Sequence, residues 1–129
     1  MPHERLQKFT VIDYTRELAL LAVMRHGPQE EVVGTGGWFA DDAHNTAEVA
    51  FAVKDTYQNR GIGTTLLEYL QELGRQQGFS AFTADVLAEN SVMIHVFRKA
   101  GFTTSETDGR MHTMKLSLAD EPVRAESLV

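Results

Sequence analysis

The feature that most constrains this chain is a change of hydrophobic period across one short junction. Thr46 to Lys54 (TAEVAFAVK) alternates, with Val49, Phe51 and Val53 on one face and Glu48, Ala50 and Ala52 on the other, the pattern of a half-buried strand. From Ile62 the apolar residues fall at Ile62, Leu66, Leu70 and Leu73, with Leu67 alongside, which is one face of a helix. A strand that becomes an amphipathic helix so abruptly must lay that helix back on a sheet. The junction reads Gln58-Asn59-Arg60-Gly61-Ile62-Gly63-Thr64.

The rest of the chain fits around this unit. Leu18 to Arg25 is a dense apolar run ending at the turn His26-Gly27-Pro28, and Glu31 to Ala40 is rich in Val, Trp and Phe. With strand 46–54 these predict an antiparallel meander, with Trp38 and Phe39 in its core. Gly78 marks the left-handed end of helix 62–77, and Gly74 inside it costs about 1 kcal/mol relative to alanine unless close packing requires it. Ser80 to Leu87 alternates again. A second helix follows, with Asn90 as N-cap, Met93, Val96, Phe97 and Ala100 as its buried stripe, and Gly101 as its stop. Two short strands, near Phe102–Glu106 and Arg110–Leu118, flank the hairpin dipeptide Asp108-Gly109. The predicted order is β-β-β-α-β-α-β-β, a mixed α/β (α+β) domain with a mainly antiparallel central sheet flanked by helices. Residues 3–9 are long enough only for a short helix. Residues 1–118 form the expected domain, and the polar stretch 119–129 (ADEPVRAESLV) reads as a flexible tail.

Composition removes several function classes. The 129 residues carry 12 Lys+Arg against 18 Asp+Glu, a net charge of −6, so neither nucleic acid nor an anionic membrane is the expected partner. No apolar run approaches the ~20 residues of a membrane span. With no cysteine there is no disulfide or thiolate ligand, which suits a cytoplasmic protein. His3, His26, His44, His95 and His112 are dispersed without ligand spacing, so no metal is expected.

The glycine junction is where chemistry is concentrated. The first amides of a helix lack internal partners and carry about half a positive charge. Glycines let an anion approach them closely, so the site suits a pyrophosphate. A Walker loop needs a lysine after the glycine, and Gly63 is followed by Thr64. A dinucleotide fingerprint needs a third glycine where Leu66 stands. The same glycines would also serve as a plain helix cap, and the residues by themselves leave both readings open.

At this junction the chain resembles the GNAT acyltransferase superfamily. Gln58, Gly61 and Gly63 match its Gln/Arg-x-x-Gly-x-Gly/Ala acyl-coenzyme A motif, and Asn90 with Gly101-Phe102 matches the helix that follows. The resemblance covers roughly residues 14–118. The phrases IDYTRELALLAV, AEVAFAVKDTYQNRGIGTTLLEYL and VLAENSVM are more narrowly similar to the acetyltransferase domain of bacterial protein-lysine acetyltransferases, which is fused there to a domain related to ADP-forming acyl-CoA synthetases. The resemblance implies an enzyme with acetyl-CoA as co-substrate, acting on a primary amine, with protein lysine as the leading acceptor. It implies that backbone groups of Phe51, Ala52 and Val53 meet the pantetheine arm, and that Gln58, Asn59, Arg60, Gly61, Ile62, Gly63 and Thr64 cradle the pyrophosphate. Asn90 would contact the pantetheine or cap its helix, and Glu48 would be the general base.

Two departures qualify what the resemblance implies. Many members carry a tyrosine seven residues after the Asn to protonate the departing thiolate; here that position is Phe97. The family also opens with a strand and one or two helices before the meander, and Met1 to Thr10 is too short for all of these. The expectation is an excised piece, with a fused N-terminal domain, or an abbreviated domain whose sheet edge a second copy covers as a homodimer. The alternative to the enzyme is a non-catalytic acyl-CoA-binding module regulating an attached domain; a bare interaction scaffold is weaker still.

Overall fold

The computed structural model describes residues 4–13, 16–58 and 60–118, with side chains from residue 16 onward. Strands β1 (Glu4–Asp13), β2 (Glu17–His26), β3 (Gln29–Asp41) and β4 (Thr46–Val53) run as a meander into helix α1 (Ile62–Gln77). Strand β5 (Ala81–Leu87), helix α2 (Ser91–Lys99) and the hairpin β6 (Thr103–Thr107) and β7 (Met111–Ser117) follow. One seven-stranded sheet has the order β1-β2-β3-β4-β5-β7-β6. Every pairing is antiparallel except β4 with β5.

The difference from the expected order lies at the start. Glu4–Asp13 is a strand rather than a short helix over 3–9, pairing with β2 from Glu4↔His26 to Asp13↔Leu18. Leu20 and Ala22 of β2 are fully buried, and β1 sets Val11 and Phe9 opposite them. An apolar strand needs a paired edge, and that demand outweighs the weak local helix preference of so few residues. The expected tail at 119–129 lies outside the described residues.

Burial follows the two periods read above. Ile62, Leu66, Leu67 and Leu70 of α1 are buried against β2, β3 and β4, each worth about 1.5–3 kcal/mol when fully enclosed. Gly74 is the close-packing position. A β-carbon there would come within 2.5 Å of the Phe82 ring, so that the ring fills the space a side chain would take. Trp38 is 5% exposed, with its ring 5.2 Å from Phe79. Phe39 is 59% exposed, against expectation, because neighbouring residues on a strand point to opposite faces. Phe97 alone of the α2 stripe is fully buried; Met93, Val96 and Ala100 are half-buried against the core.

Sheet pairing then creates an opening. β4 and β5 pair only at Thr46↔Ala81, Ala47↔Phe82 and Glu48↔Thr83, although both strands continue beyond. Their carboxyl ends diverge, and α1 and α2 begin just past them, which is where ligands bind parallel strands.

Candidate functional site

Two cavities meet at this divergence. One of about 250 Å³ occupies the gap itself and is lined by Ala50 and Phe51 of β4, Asp85 and Leu87 of β5, and Asn90, Met93 and Phe97. The other, of about 380 Å³, lies between the first turns of the helices, lined by Phe51, Val53, Tyr57, Gln58, Gly61, Gly63, Thr64 and Asn90 with the cavity side of α2. Phe51, Asn90 and Met93 line both, so the two spaces adjoin at these residues.

The helix ends explain why this place is polar. Gly61 caps α1 with φ of +82°, a left-handed conformation, and offers no side-chain cap; only glycine adopts it without a steric cost. The amides of the first turn therefore rely on something other than a capping side chain. Thr65 closes the first intrahelical bond, its N–H donating to the Gly61 carbonyl at 2.9 Å. At α2, the Asn90 Oδ1 accepts from the Met93 N–H at 3.1 Å. The cap role of Asn90 is thus occupied while the residue also faces the cavity.

The residues singled out from the sequence separate into groups. Phe51, Val53, Gln58, Gly61, Gly63, Thr64 and Asn90 come together around one cavity. Ile62 is buried toward the core, and Ala52 is exposed on the opposite face of β4. Arg60 is exposed, with its guanidinium carbon 5.0 Å from the Tyr57 ring centroid. Asn59 lies outside the described residues. Glu48 is exposed on the face of β4 away from the helices, opposite Thr83 at the last pair before the strands part. Phe97 is 2% exposed, wedged between Phe51 at 5.2 Å and Phe102 at 4.8 Å.

Three polar cavity residues were not singled out from the sequence. His95 and Lys99 line the larger cavity from α2, four residues apart and therefore on one helical face. Their shared face was visible in the spacing; that this face meets the cavity was decided by where α2 packs. Lys99 and the α1 amides set local positive charge in a chain of net charge −6. Tyr57 is the third, 7% exposed in the single 3₁₀ turn Asp55–Tyr57. Among the described residues no His, Asp and Glu side chains group as a metal-ligand set, and no helix is long and apolar enough to cross a membrane.

A parallel pair that splays open between two helix N-termini narrows the search for relatives. The model of the acetyltransferase (GNAT) family matches residues 2–102. The chain belongs to that family. It is 40% identical over 65 residues to acetyltransferase Pat of Mycolicibacterium smegmatis, a match over 49% of this chain and 20% of that protein. The GNAT domain of S. lividans PAT superposes with a TM-score of 0.72 and 31% identity, over 85% of this chain and 65% of that one. A third GNAT fold, yncA from Salmonella typhimurium solved with its cofactor acetyl-CoA, superposes with a TM-score of 0.68 at 20% identity, over 82% of this chain and 67% of that one. This GNAT chain therefore spans about a fifth of the length of Pat.

Proposed function

We propose that this chain transfers an acetyl group from acetyl-CoA to a primary amine, with the side chain of protein lysine as acceptor. The observation that carries the reading is the cavity shared by the first turns of α1 and α2, adjoining the β4–β5 gap that begins after Glu48. Its parts fit the ligand. The uncapped glycine turn of α1, with His95 and Lys99 across from it, suits a pyrophosphate. Val92, 52% exposed at the cavity, and Met93 offer apolar surface to the pantetheine arm. The β4 backbone from Phe51 to Val53, unpaired toward β5, supplies amides and carbonyls alongside it.

Acetyl-CoA supplies an activated thioester; the protein must supply an uncharged amine. A lysine amine of pKa near 10.4 is only about one part in 10³ neutral at pH 7, a deficit of roughly 4–5 kcal/mol. Glu48 accepts that proton, directly or through one water, as the nitrogen bonds to the acyl carbon; the carbon–sulfur bond then breaks and CoA leaves as the thiolate, which takes its proton from water. Backbone amides at the end of β4 stabilise the oxyanion. The resemblance of IDYTRELALLAV and VLAENSVM to protein-lysine acetyltransferases supports lysine as the acceptor, and the acidic composition favours approach of a cationic one.

Calorimetric titration with acetyl-CoA, CoA and ATP tests the ligand: the two CoA species should bind at micromolar level and ATP should not. A second reading, a binding module without turnover, draws on Phe97, which leaves a buried ring without a proton where many relatives hold a tyrosine. Acetylation of a lysine peptide by the purified chain separates the two.

A further inference from the structure

The cradle at Gly61 and Gly63 is held from outside the cavity. Glu31, on β3, is the common acceptor of a small network. Its Oε1 accepts from His26 Nε2 at 2.9 Å and from the Tyr57 hydroxyl at 3.3 Å, and its Oε2 accepts from Lys54 Nζ. Tyr57 and His26 are also in contact, hydroxyl to Nε2, at 3.0 Å. A carboxylate can only accept, so Nε2 carries the imidazole proton in this arrangement. Lys54 and Tyr57 bracket the 3₁₀ turn Asp55–Tyr57 that delivers the chain from β4 to the glycine junction. Both ends of that turn are thus tied to one side chain of the neighbouring strand. The turn has further ties to the sheet: the Lys54 N–H donates to the Val33 carbonyl at 2.8 Å, and the Gln58 side chain donates to the Val53 carbonyl at 3.2 Å. Beyond it, Arg60 lies over the Tyr57 ring, and that ring is itself part of the cavity wall.

We propose that Glu31 is a positioning residue for the phosphate cradle: by fixing Lys54 and Tyr57 together it sets where Gly61 and Gly63 present their amides. Pre-organisation of this kind is expressed in affinity, because a mobile turn must be ordered each time ligand binds. The inference rests on the acetyl-CoA reading for its effect on binding, but the positioning itself is measurable without ligand.

The test uses the whole chain with Glu31→Ala, Glu31→Gln and Tyr57→Phe. Amide hydrogen exchange in the unliganded protein should accelerate at Lys54, Tyr57, Gln58 and Thr65, whose N–H groups are hydrogen-bonded at this corner, in Glu31→Ala, while amides of β5 and β7 keep their rates. Affinity for CoA should fall about tenfold, the equivalent of roughly 1.4 kcal/mol. Glu31→Gln, which keeps an acceptor for Tyr57 but not the charge for Lys54, should fall between wild type and Glu31→Ala, and Tyr57→Phe should accelerate the same amides. Unchanged exchange at the junction, or acceleration spread evenly over the sheet, would overturn the proposal. Wild-type protein that binds no CoA would instead overturn the acetyl-CoA reading, leaving the exchange result to judge Glu31.

Discussion

Glu48 stands opposite Thr83 at the last parallel pair of β4 and β5, and the two strands part immediately beyond it. A carboxylate at that branch point is within the sheet yet exposed on the face away from the helices, which the proposed reaction uses for approach of the acceptor amine. Glu48→Gln keeps size and hydrogen bonding while removing the carboxylate proposed as the base. Turnover should fall by about 10²–10⁴, with CoA affinity unchanged by calorimetry. Equal turnover in the variant would take Glu48 out of the mechanism.

Gly61 and Gly63 fail differently when substituted. A β-carbon on Gly61 meets nothing within 4 Å, but φ is +82°, so Gly61→Ala costs about 1–2 kcal/mol through the backbone alone. A β-carbon on Gly63 lies 3.1 Å from the Phe51 ring, so Gly63→Val presses on a cavity wall. Both variants should bind CoA more weakly, and denaturant titration of each should show the Gly61 penalty without ligand.

Gly74→Ala sets two effects against each other. Alanine gains about 1 kcal/mol of helix propensity. The new methyl would sit 2.5 Å from the Phe82 ring and 3.2 Å from Leu118, and overpacking of that kind costs about 1–3 kcal/mol. Phe82 is fully buried and cannot swing aside. Steric cost should win, so chemical denaturation should show a net loss of stability.

Asn90 has a cap role and a cavity role that one pair of variants can separate. Asn90→Ala removes the bond to the Met93 amide and should cost about 1 kcal/mol of stability. Asn90→Ser restores a capping oxygen on a shorter side chain. If serine recovers stability but not CoA affinity, the amide group contacts the ligand; recovery of both would assign Asn90 to the cap alone.

Acid should loosen the corner built around Glu31. Hydrogen bonding from Lys54, then from His26, holds the Glu31 carboxyl below its ordinary value of 4.5. His44 does the same for Asp41, and the amides of Met111 and Arg110 for Asp108, against an ordinary 3.8. A folded-state pKa below the unfolded one means stability that is fully present above the unfolded value and lost as pH falls through the folded one. Unfolding midpoints should therefore be flat with respect to these groups above pH 4.5 and decline below it. Glu31→Gln should shallow that decline, as read from thermal melts between neutral pH and acid.

The local code determined the elements from Leu18 onward, because each carried its own period, cap or stop: the α1 face from Ile62 to Leu70, Asn90 before α2, Gly78 after α1, Asp108-Gly109 in the last turn. The junction at Gln58–Thr64 was legible for the same reason, since a helix N-terminus is a local object. What the sequence left open depended on partners far along the chain. β1 is a strand because β2 had an unpaired apolar edge, and Phe39 faces solvent because register, not hydrophobicity, chooses its side. The tie from Glu31 to Lys54 and Tyr57 spans more than twenty residues and follows no period. Only tertiary pairing decided where β4 and β5 would part, and so brought Asn90 and the glycine turn to one opening and left Glu48 at the last pair before it. Hydrogen-bond register between distant strands is set by the packing of the whole sheet, and no local stretch of sequence encodes it.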